Sequence, residues 1–192
     1  MKIRIGFALQ GSGLPWVLRA LLLCGLLAGL LPACQRNDCL KSAGPVTTER
    51  RELPAFHSLT ALDNATITLV PDTATYAEVR TGSNLQADLK LEVRDQHLYV
   101  SNESTCNWAR SYAVPHAVTL HLPTLTNLHL YGQGDITTSG QLRADTMFLH
   151  LKGSGDFDLD LRSNYLWVDQ FELGDYRLRG ETDQLLLSGG SL

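Results

Sequence analysis

The sequence predicts an all-β fold, built as a β-solenoid that follows an export signal, and three observations lead to this prediction. Short segments after Leu53 alternate apolar and polar residues, which is the period of β-strands. No window of about a dozen residues after Cys34 keeps a helical period. The carboxyl third repeats one glycine-containing unit at spacings of 21 and 19 residues. A repeat of that length without a helix indicates stacked coils.

The first 33 residues are predicted to be a cleavable lipoprotein signal peptide. Lys2, Arg4 and Arg19 precede an apolar run over residues 20–33, and this order is typical of export signals. The run is 14 residues long, whereas a membrane-spanning helix needs about 20 apolar residues. The length therefore favours a signal peptide over a permanent transmembrane helix.

Residues 31–34, LPAC, resemble the lipobox of bacterial lipoproteins, in which the cysteine becomes the first mature residue and is acylated. Cys34 is therefore predicted to carry a lipid anchor, which would make the membrane a partner of the protein. In the same resemblance, Gln35 favours the outer membrane over the inner one, with the domain on the periplasmic or the cell-surface face. Simple secretion, with Cys34 as a structural thiol, is the alternative.

Residues 34–52 are polar without an apolar period, so they predict a tether to a single domain that spans residues 53–192. After residue 33 the chain has 13 basic and 20 acidic side chains, a net charge of −7. This charge argues against nucleic acid as a partner, because phosphate neutralisation requires clustered Lys and Arg. Arg50 and Arg51 form the nearest approach to a basic patch, and it is small.

Two cysteines remain once Cys24 is assigned to the signal and Cys34 to the lipid anchor. Cys39 and Cys106 would lie in an oxidising compartment, and this setting together with the even count favours a disulfide between them. No C-x-x-C pair or Cys/His cluster has the spacing of a zinc site. The sequence therefore predicts no metal and no cofactor.

Five segments in the middle of the chain show the alternation of half-buried strands, and turn-forming residues separate them. These predicted strands cover residues 65–70, 76–82, 89–94, 97–102 and 117–122.

The repeated unit brings glycines and aspartates into columns. LHLYGQGDIT from residue 128 and LHLKGSGDFD from residue 149 align without a gap, and ELGDYRLRG from residue 172 follows as the third copy. A fourth, degenerate copy is expected at residues 185–192, with Leu185 in the row of Leu128. The corners predicted by this register are Gly134 with Asp135, Gly155 with Asp156, and Gly174 with Asp175.

Stacking explains the repetition, because one coil of short strands cannot bury its apolar side chains or pair its backbone groups alone. The glycines would allow a tight corner or a positive φ. Each following Asp would bond its own neighbouring amides. The side chains expected to point inward are Leu128, Leu130, Leu149, Leu151, Leu159, Leu161, Leu166 and Val168.

The same register stacks His129, His150 and Asp169 in one outward column, with adjacent members about 4.8 Å apart. These residue types bind metals, which makes the column a weak metal candidate. A straight column, however, holds its first and third members too far apart for easy sharing of one ion. A solvated polar face is the favoured interpretation.

Asp156, Asp158 and Asp160 lie on one side of a predicted strand. Calcium prefers oxygen ligands, but the glycine-rich nonapeptide of solenoid calcium sites is absent, so a solvated acidic strip is favoured. No motif of a hydrolase elbow, a zinc protease or a phosphate loop is present. The protein is therefore predicted not to be an enzyme.

Taken in order, these motifs resemble a known bacterial family. CLKSAG from residue 39, LEVRDQHLYVSNE from residue 91, CNWARSY from residue 106 and the Gly-x-Gly-Asp corners are similar to the lipoproteins called putative autotransporter adhesin, head GIN domain. The resemblance covers residues 39–192. It implies a right-handed parallel β-helix that is entered through a β-rich amino-terminal cap and is anchored at the cell envelope after export. The family also places cysteines at these two positions, which supports the disulfide.

The predicted function is that of a non-catalytic binding or adhesion module of the cell envelope, with a surface glycan or protein as its ligand. A structural envelope protein and a polysaccharide-active enzyme on the same scaffold are the alternatives. The family usually continues for several more coils, so we expect a domain truncated at its carboxyl end unless another element covers the last coil. Aromatic residues that could serve as sugar platforms, although packing is their usual role, are Tyr99, Trp108, Tyr112, Tyr131, Tyr165 and Trp167.

Overall fold

The computed structural model describes residues 42–104 and 114–189, and for these residues the all-β prediction is confirmed. They form a single sheet of 13 strands that is curled into a half-barrel, with a short 3-10 helix at Gln86–Asp88. No described helix is long and apolar enough to cross a membrane. The strands are β1 (Val46–Glu52), β2 (Ser58–Ala61), β3 (Thr66–Pro71), β4 (Tyr76–Gly82), β5 (Leu89–Arg94), β6 (His97–Asn102), β7 (Ala117–Leu122), β8 (Asn127–Leu130), β9 (Ile136–Thr138), β10 (Leu142–Arg143), β11 (Thr146–Leu151), β12 (Phe157–Gln170) and β13 (Tyr176–Gly189).

The strands predicted from alternation lie where they are expected. β4, β5, β6 and β7 have the predicted bounds, and β3 begins and ends one residue later than predicted. In β6 the alternate residues Leu98 and Val100 are fully buried, while the side chains between them are partly exposed. The period of two in the sequence therefore reports one buried face of each strand.

Two columns of parallel strands form the body of the sheet. In the first column β6, β2, β8, β11, β12 and β13 lie side by side. In the second column the order is β7, β3, β9, β12 and β13. β12 and β13 are each 14 residues long and contribute to both columns. Successive copies of the repeat are therefore stacked in register.

The eight side chains predicted to point inward are all buried, with exposed fractions of 5% or less. Leu59, Leu128, Leu149 and Val168 form one row across four strands of the first column. Burial of each such leucine contributes roughly 1.5–3 kcal/mol before the loss of conformational entropy is subtracted. The repeat thus supplies matching apolar rows that a single coil could not bury.

The fourth copy of the repeat has a different register from the predicted one. Leu187 pairs with Val168 and so continues the row of Leu128, where the sequence predicts Leu185. Leu185 pairs with Leu166 instead. The difference is two residues, and the apolar face is kept because side chains alternate with a period of two.

Strand β1 corrects the predicted tether, because Val46–Glu52 pairs with β4 along its whole length in antiparallel orientation. The guanidinium group of Arg51 secures this strand by donating to the backbone oxygens of Leu89 and Gln86, at 2.6 and 2.7 Å. Most side chains of β1 are exposed. The strand therefore lacks the apolar alternation by which the others were predicted.

The corner glycines Gly134, Gly155 and Gly174 line up along the stack, and the reason is close backbone approach. A Cβ on Gly155 would lie 2.4 Å from the carbonyl oxygen of Gly134, and a Cβ on Gly174 would lie 2.0 Å from that of Gly155. None of the three glycines has a positive φ. Of the two explanations that the sequence offers, the positive φ is therefore wrong.

The aspartates that follow these glycines connect neighbouring coils. The backbone N–H of Asp156 donates to Oδ1 of Asp135 at 2.9 Å, and the N–H of Asp175 donates to Oδ1 of Asp156 at 3.0 Å. The expectation that each Asp bonds its own neighbouring amides is wrong at Asp135 and Asp156. Each of these carboxylates instead accepts from the next coil.

Arginines of the following coil pair with the predicted acidic strip. Arg177 Nη1 lies 3.2 Å from Asp156 Oδ2, and Arg179 Nη2 lies 2.6 Å from Asp158 Oδ1. The second contact is an ion pair whose angles fall outside hydrogen-bonding geometry. Asp156 and Asp158 are therefore charge-compensated by the stack, whereas Asp160 accepts a hydrogen bond from Gln141.

Candidate functional site

The outward face of the first column carries a row of histidines that ends on a carboxylate. His129 on β8 pairs with His150 on β11, and His150 pairs with Asp169 on β12. The rings of His129 and His150 stack with their centroids 4.4 Å apart and their planes 8° apart. His97 on β6 extends the stack, 6.0 Å from His129. We call these four residues the histidine ladder.

The histidine ladder is only partly shielded from solvent, because Asp169 is buried whereas the three histidines are half-buried. Asp169 is 7% exposed, and its Oδ2 lies 2.7 Å from His150 Nδ1. Its other oxygen, Oδ1, is buried and has no hydrogen-bond partner among the described residues. Asp169 is therefore covered by its neighbours in the stack, whereas the outward histidines keep partial access to solvent.

Burial, and after it the positive charge of His150, lowers the pKa of His129 to about 4. The charges of His97 and Lys152 act in the same direction, and that of Asp169 opposes them. Burial also lowers the pKa of His97. At neutral pH these two imidazoles are uncharged, so the stacked rings do not repel one another as cations.

Within residues 42–104 and 114–189, no group of three or more His, Cys, Asp or Glu side chains is arranged to hold a metal ion. The weak metal candidates His129, His150 and Asp169 do share one row, as described above. Within the row, His150 Nδ1 and Asp169 Oδ2 are hydrogen-bonded and the rings of His129 and His150 are stacked. The ladder is therefore a layer of internal contacts on the outward face.

A second row of side chains lies where the strands of the first column end. Tyr131, Lys152 and Phe171 each precede a corner glycine by three residues, and the backbone hydrogen bonds at these positions continue the parallel ladder. Tyr131 and Phe171 are 46% and 44% exposed. Lys152 Nζ lies 5.7 Å from the ring centroid of Tyr131 and 5.2 Å from that of Phe171. We call these three residues the corner row.

Sequence reasoning named Tyr131 as one of six aromatic candidates and missed Lys152 and Phe171. The register that aligned the glycines would have found both, since it also aligns the positions three residues before each glycine. The three residue types in this row differ. An alignment that searches for identical residues in each copy therefore does not detect the row.

The other described aromatic candidates are engaged in packing. Tyr99 stacks on His97 with ring centroids 4.4 Å apart. Tyr165 and Trp167 lie 6.2 and 6.0 Å from the ring of Phe148. Tyr131 also has a ring neighbour, since its ring centroid lies 6.3 Å from that of His129, but its side chain is 46% exposed. It is therefore the described candidate whose ring is most open to a ligand.

An open groove of about 420 Å³ adjoins the corner row, and Tyr131 contributes one side of it. Most of the other lining residues are polar. The lining consists of Asp63, Asn64, Asn102, Ser104, Tyr131, Gly132 and Gln133.

Hydrogen bonds fix the polar side chains of the groove. Asp63, which has a positive φ of 60°, accepts through Oδ2 from the backbone N–H of Asn102 at 3.0 Å. Asn102 Nδ2 donates to Asn64 Oδ1 at 2.8 Å. A Cβ on Gly132 would lie 2.0 Å from the carbonyl oxygen of Asp63, so no side chain can fill the groove from that position. Polar groups that are already positioned lose less entropy when a ligand binds.

This combination suits a carbohydrate better than an apolar ligand. An exposed aromatic ring can pack against the apolar face of a sugar, and fixed amide and carboxylate groups can bond its hydroxyls. The backbone N–H of Tyr131 donates to the carbonyl oxygen of Ala61 at 3.0 Å, which ties the platform to the neighbouring coil. The groove is therefore the candidate binding site.

Several predicted features lie outside the described residues. These are the signal peptide over residues 1–33, the lipidated Cys34, and both cysteines of the predicted disulfide, Cys39 and Cys106. Trp108 and Tyr112 also fall outside. The anchor and the disulfide stay predictions.

Comparison with known proteins places the chain in a family and the fold among solved structures. The family described as putative auto-transporter adhesin, head GIN domain, matches residues 55–191. No curated protein matches the chain. A putative adhesin from Bacteroides fragilis is 19% identical, with a TM-score of 0.64, over 76% of this chain and 77% of that one. A putative lipid binding protein from Parabacteroides distasonis is also 19% identical, with a TM-score of 0.62, over 76% of this chain and 63% of that one.

Proposed function

The chain belongs to the family of the putative auto-transporter adhesin, head GIN domain, and from that premise we propose that it is a non-catalytic adhesion module of the cell envelope. In this proposal Cys34 carries the lipid anchor at the outer membrane, and the stacked coils form a right-handed parallel β-helix. The ligand is a surface glycan that binds in the groove beside Tyr131. The name of the Bacteroides fragilis relative is consistent with adhesion.

The groove is the observation that carries the proposal. It combines an exposed ring with polar side chains that hydrogen bonds already hold in place. The scaffold beneath it is a stack whose inward rows are almost completely buried. A rigid support of this kind presents a binding surface without a large cost of ordering.

The distribution of carboxylates supports binding over hydrolysis. Most glycoside hydrolases use two carboxylic side chains on either side of the bond that is cleaved. Asp63 is the one carboxylate among the described residues that line the groove. Asp156 and Asp158 are paired with arginines, and Asp169 is buried against His150.

A glycan array combined with an assay for released reducing sugar tests this function on the full chain. We expect saturable binding to particular glycans without release of sugar. Tyr131→Ala should weaken binding about tenfold or more, because a buried aromatic anchor commonly accounts for that much affinity. Tyr131→Phe should retain most of the binding, since it keeps the ring. Leu173→Ala, which removes an apolar side chain that is 84% exposed but does not line the groove, is the control.

Each contrary result contradicts a distinct part of the proposal. Release of reducing sugar would contradict the non-catalytic role. Equal binding by the Tyr131→Ala variant and the unmodified protein would contradict the site. Failure to bind any glycan on the array would contradict the function itself.

A further inference from the structure

We infer that the ligand of the groove is an acidic glycan, whose carboxylate or sulfate group is bound by Lys152 between the rings of Tyr131 and Phe171. This inference rests on the proposed function, because it assigns the charge to the ligand of the same site. It extends the site from the groove along the corner row.

Lys152 is an exposed cation without an acidic partner. Its side chain makes no salt bridge and no hydrogen bond within the part of the chain that the structure describes, and its recorded contacts are with the two rings. Several other basic groups on the stack are paired, for example Arg177 with Asp156 and Arg179 with Asp158. The charge of Lys152 is therefore available to a ligand.

The two rings hold the ammonium group in place. A cation over an aromatic face within about 6 Å of the ring centroid is attracted by the ring quadrupole, and Lys152 Nζ meets that distance at Tyr131 and at Phe171. Rings on two sides also limit the freedom of the lysine stem and its access to water. The solvent-facing side remains open to an anion, which would find a positioned positive charge.

The same ring of Tyr131 lines the groove and contacts Lys152. A sugar that packs on this ring would therefore hold its substituents near the ammonium group. Neutral hydroxyls can be bonded by Asp63, Asn64 and Gln133 in the groove. Among sugar substituents, a carboxylate or a sulfate would bind Lys152 most tightly. The reason is that a hydrogen bond between two charged groups is stronger than one between a charged and a neutral group.

Nearby acids do not cancel this charge. Asp63 lies two coils away from the coil of Lys152, about 10 Å by the spacing of strands, and its carboxylate is engaged by Asn102. Glu172 is the residue after Phe171, in the coil that follows that of Lys152. It is exposed and makes no ion pair with Lys152. The acidic excess of the whole chain is screened over about 8 Å at physiological ionic strength. Local contact with Lys152 therefore decides whether an anion is bound.

The test uses the full chain and pairs of glycans that differ only in charge. One pair is an oligogalacturonate and its methyl ester, and the other is a sulfated glycosaminoglycan and its desulfated form. We expect the charged member of at least one pair to bind about tenfold more tightly or better, and this preference to weaken as salt is added. The two pairs separate a carboxylate ligand from a sulfate ligand.

Substitutions assign the preference to one residue. Lys152→Gln should abolish the preference for the charged glycan, and Lys152→Arg should keep it. Lys90→Gln is the control, because Lys90 is a half-buried lysine on β5 that is 3.9 Å from Glu103 and does not line the groove. This control should bind as the unmodified protein does.

Failure of this inference and failure of the proposed function give different results. Equal binding of charged and neutral glycans by the unmodified protein would overturn the inference and leave the function intact. A Lys152→Gln variant that keeps the full charge preference would overturn the assignment to Lys152. Binding to no glycan in either pair or on the wider array would overturn the proposed function, and this inference with it.

Discussion

The backbone N–H of Asp175 donates a hydrogen bond of 3.0 Å to Oδ1 of Asp156, which lies one coil earlier in the stack. The N–H of Asp156 makes the equivalent bond to Asp135 at 2.9 Å. Side-chain oxygens thus satisfy backbone donors at the corner between the two columns of strands. Both bonds lie at exposed positions, so each contributes the modest stabilisation of an ordinary hydrogen bond.

Replacement of Asp156 tests this corner. We expect Asp156→Ala to lower the free energy of unfolding by about 0.5–1.5 kcal/mol, because the N–H of Asp175 exchanges its protein acceptor for water. Asp156→Asn keeps an acceptor oxygen and loses only the partly exposed ion pair with Arg177, which contributes at most about 1 kcal/mol. Urea denaturation measures the difference, with Asp183→Ala on the exposed side of β13 as the control. An equal loss in the Ala and Asn variants would assign the effect to the ion pair instead.

Adding a methyl group at the corner glycine should lower the free energy of unfolding more than removing a methyl group from the core. In Gly155→Ala the new Cβ would meet the carbonyl oxygen of Gly134 at 2.4 Å, so the backbones of two coils must separate. Ile136→Val, at a fully buried position, is expected to cost about 0.5–1.5 kcal/mol. We expect Gly155→Ala to cost more than this in a thermal or urea melt. Gly189→Ala, whose Cβ would lie 3.7 Å from the nearest atom, is the matched control and should be tolerated.

The stacked part of the fold could be predicted because its strands and coils produce periodic patterns in the amino-acid sequence. Alternation with a period of two identified the strands β3 to β7, and the repeat identified the buried rows and the glycine column. Strand β1 leaves no such trace. Its pairing depends on the backbone of β4 and on Arg51, whose partners Gln86 and Leu89 lie 35 and 38 residues away along the chain.

The candidate site was predicted only in part, for a related reason. Tyr131 was recognisable as an aromatic residue outside the apolar rows. The polar side of the groove is formed by Asp63 and Asn102, which are 39 residues apart and meet only when β2 and β6 pair. Such a site depends on the register in which distant strands pair. A short stretch of sequence does not reveal that register.

The guanidinium group of Arg51 should be required for the position of β1. We expect Arg51→Lys to lower the free energy of unfolding by about 1–2 kcal/mol, because an ammonium group cannot reproduce the fork that contacts Leu89 O, Gln86 O and Gln86 Oε1. Hydrogen exchange should show faster opening of the β1 amides in this variant. Thr48→Ser, at an exposed position of the same strand, is the control. Unchanged exchange in β1 after Arg51→Lys would mean that backbone pairing with β4 is sufficient.

The histidine ladder should make the protein less stable in mild acid. The pKa of His129 falls from its ordinary value of 6.5 to about 4 in the folded protein, mainly because the ring is buried. Between these two values the unfolded chain binds more protons than the folded one, so the free energy of unfolding decreases as the pH is lowered from 6.5 towards 4. His97, whose pKa is also lowered by burial, adds to the same trend.

Urea denaturation at several pH values from 7 to 4.5 measures this dependence. His129→Gln should be less stable than the unmodified protein at pH 7, because it loses the ring stacked 4.4 Å from His150, yet its stability should fall less steeply with acid. His57→Gln, at a histidine outside the stacked rings, should lose only a small part of the slope, because the charge of His57 contributes to the lowered pKa of His97 and is not among the causes for His129. If His129→Gln shows the unmodified slope, proton uptake at other groups accounts for the acid sensitivity, and the neutral state of His129 is not what limits stability.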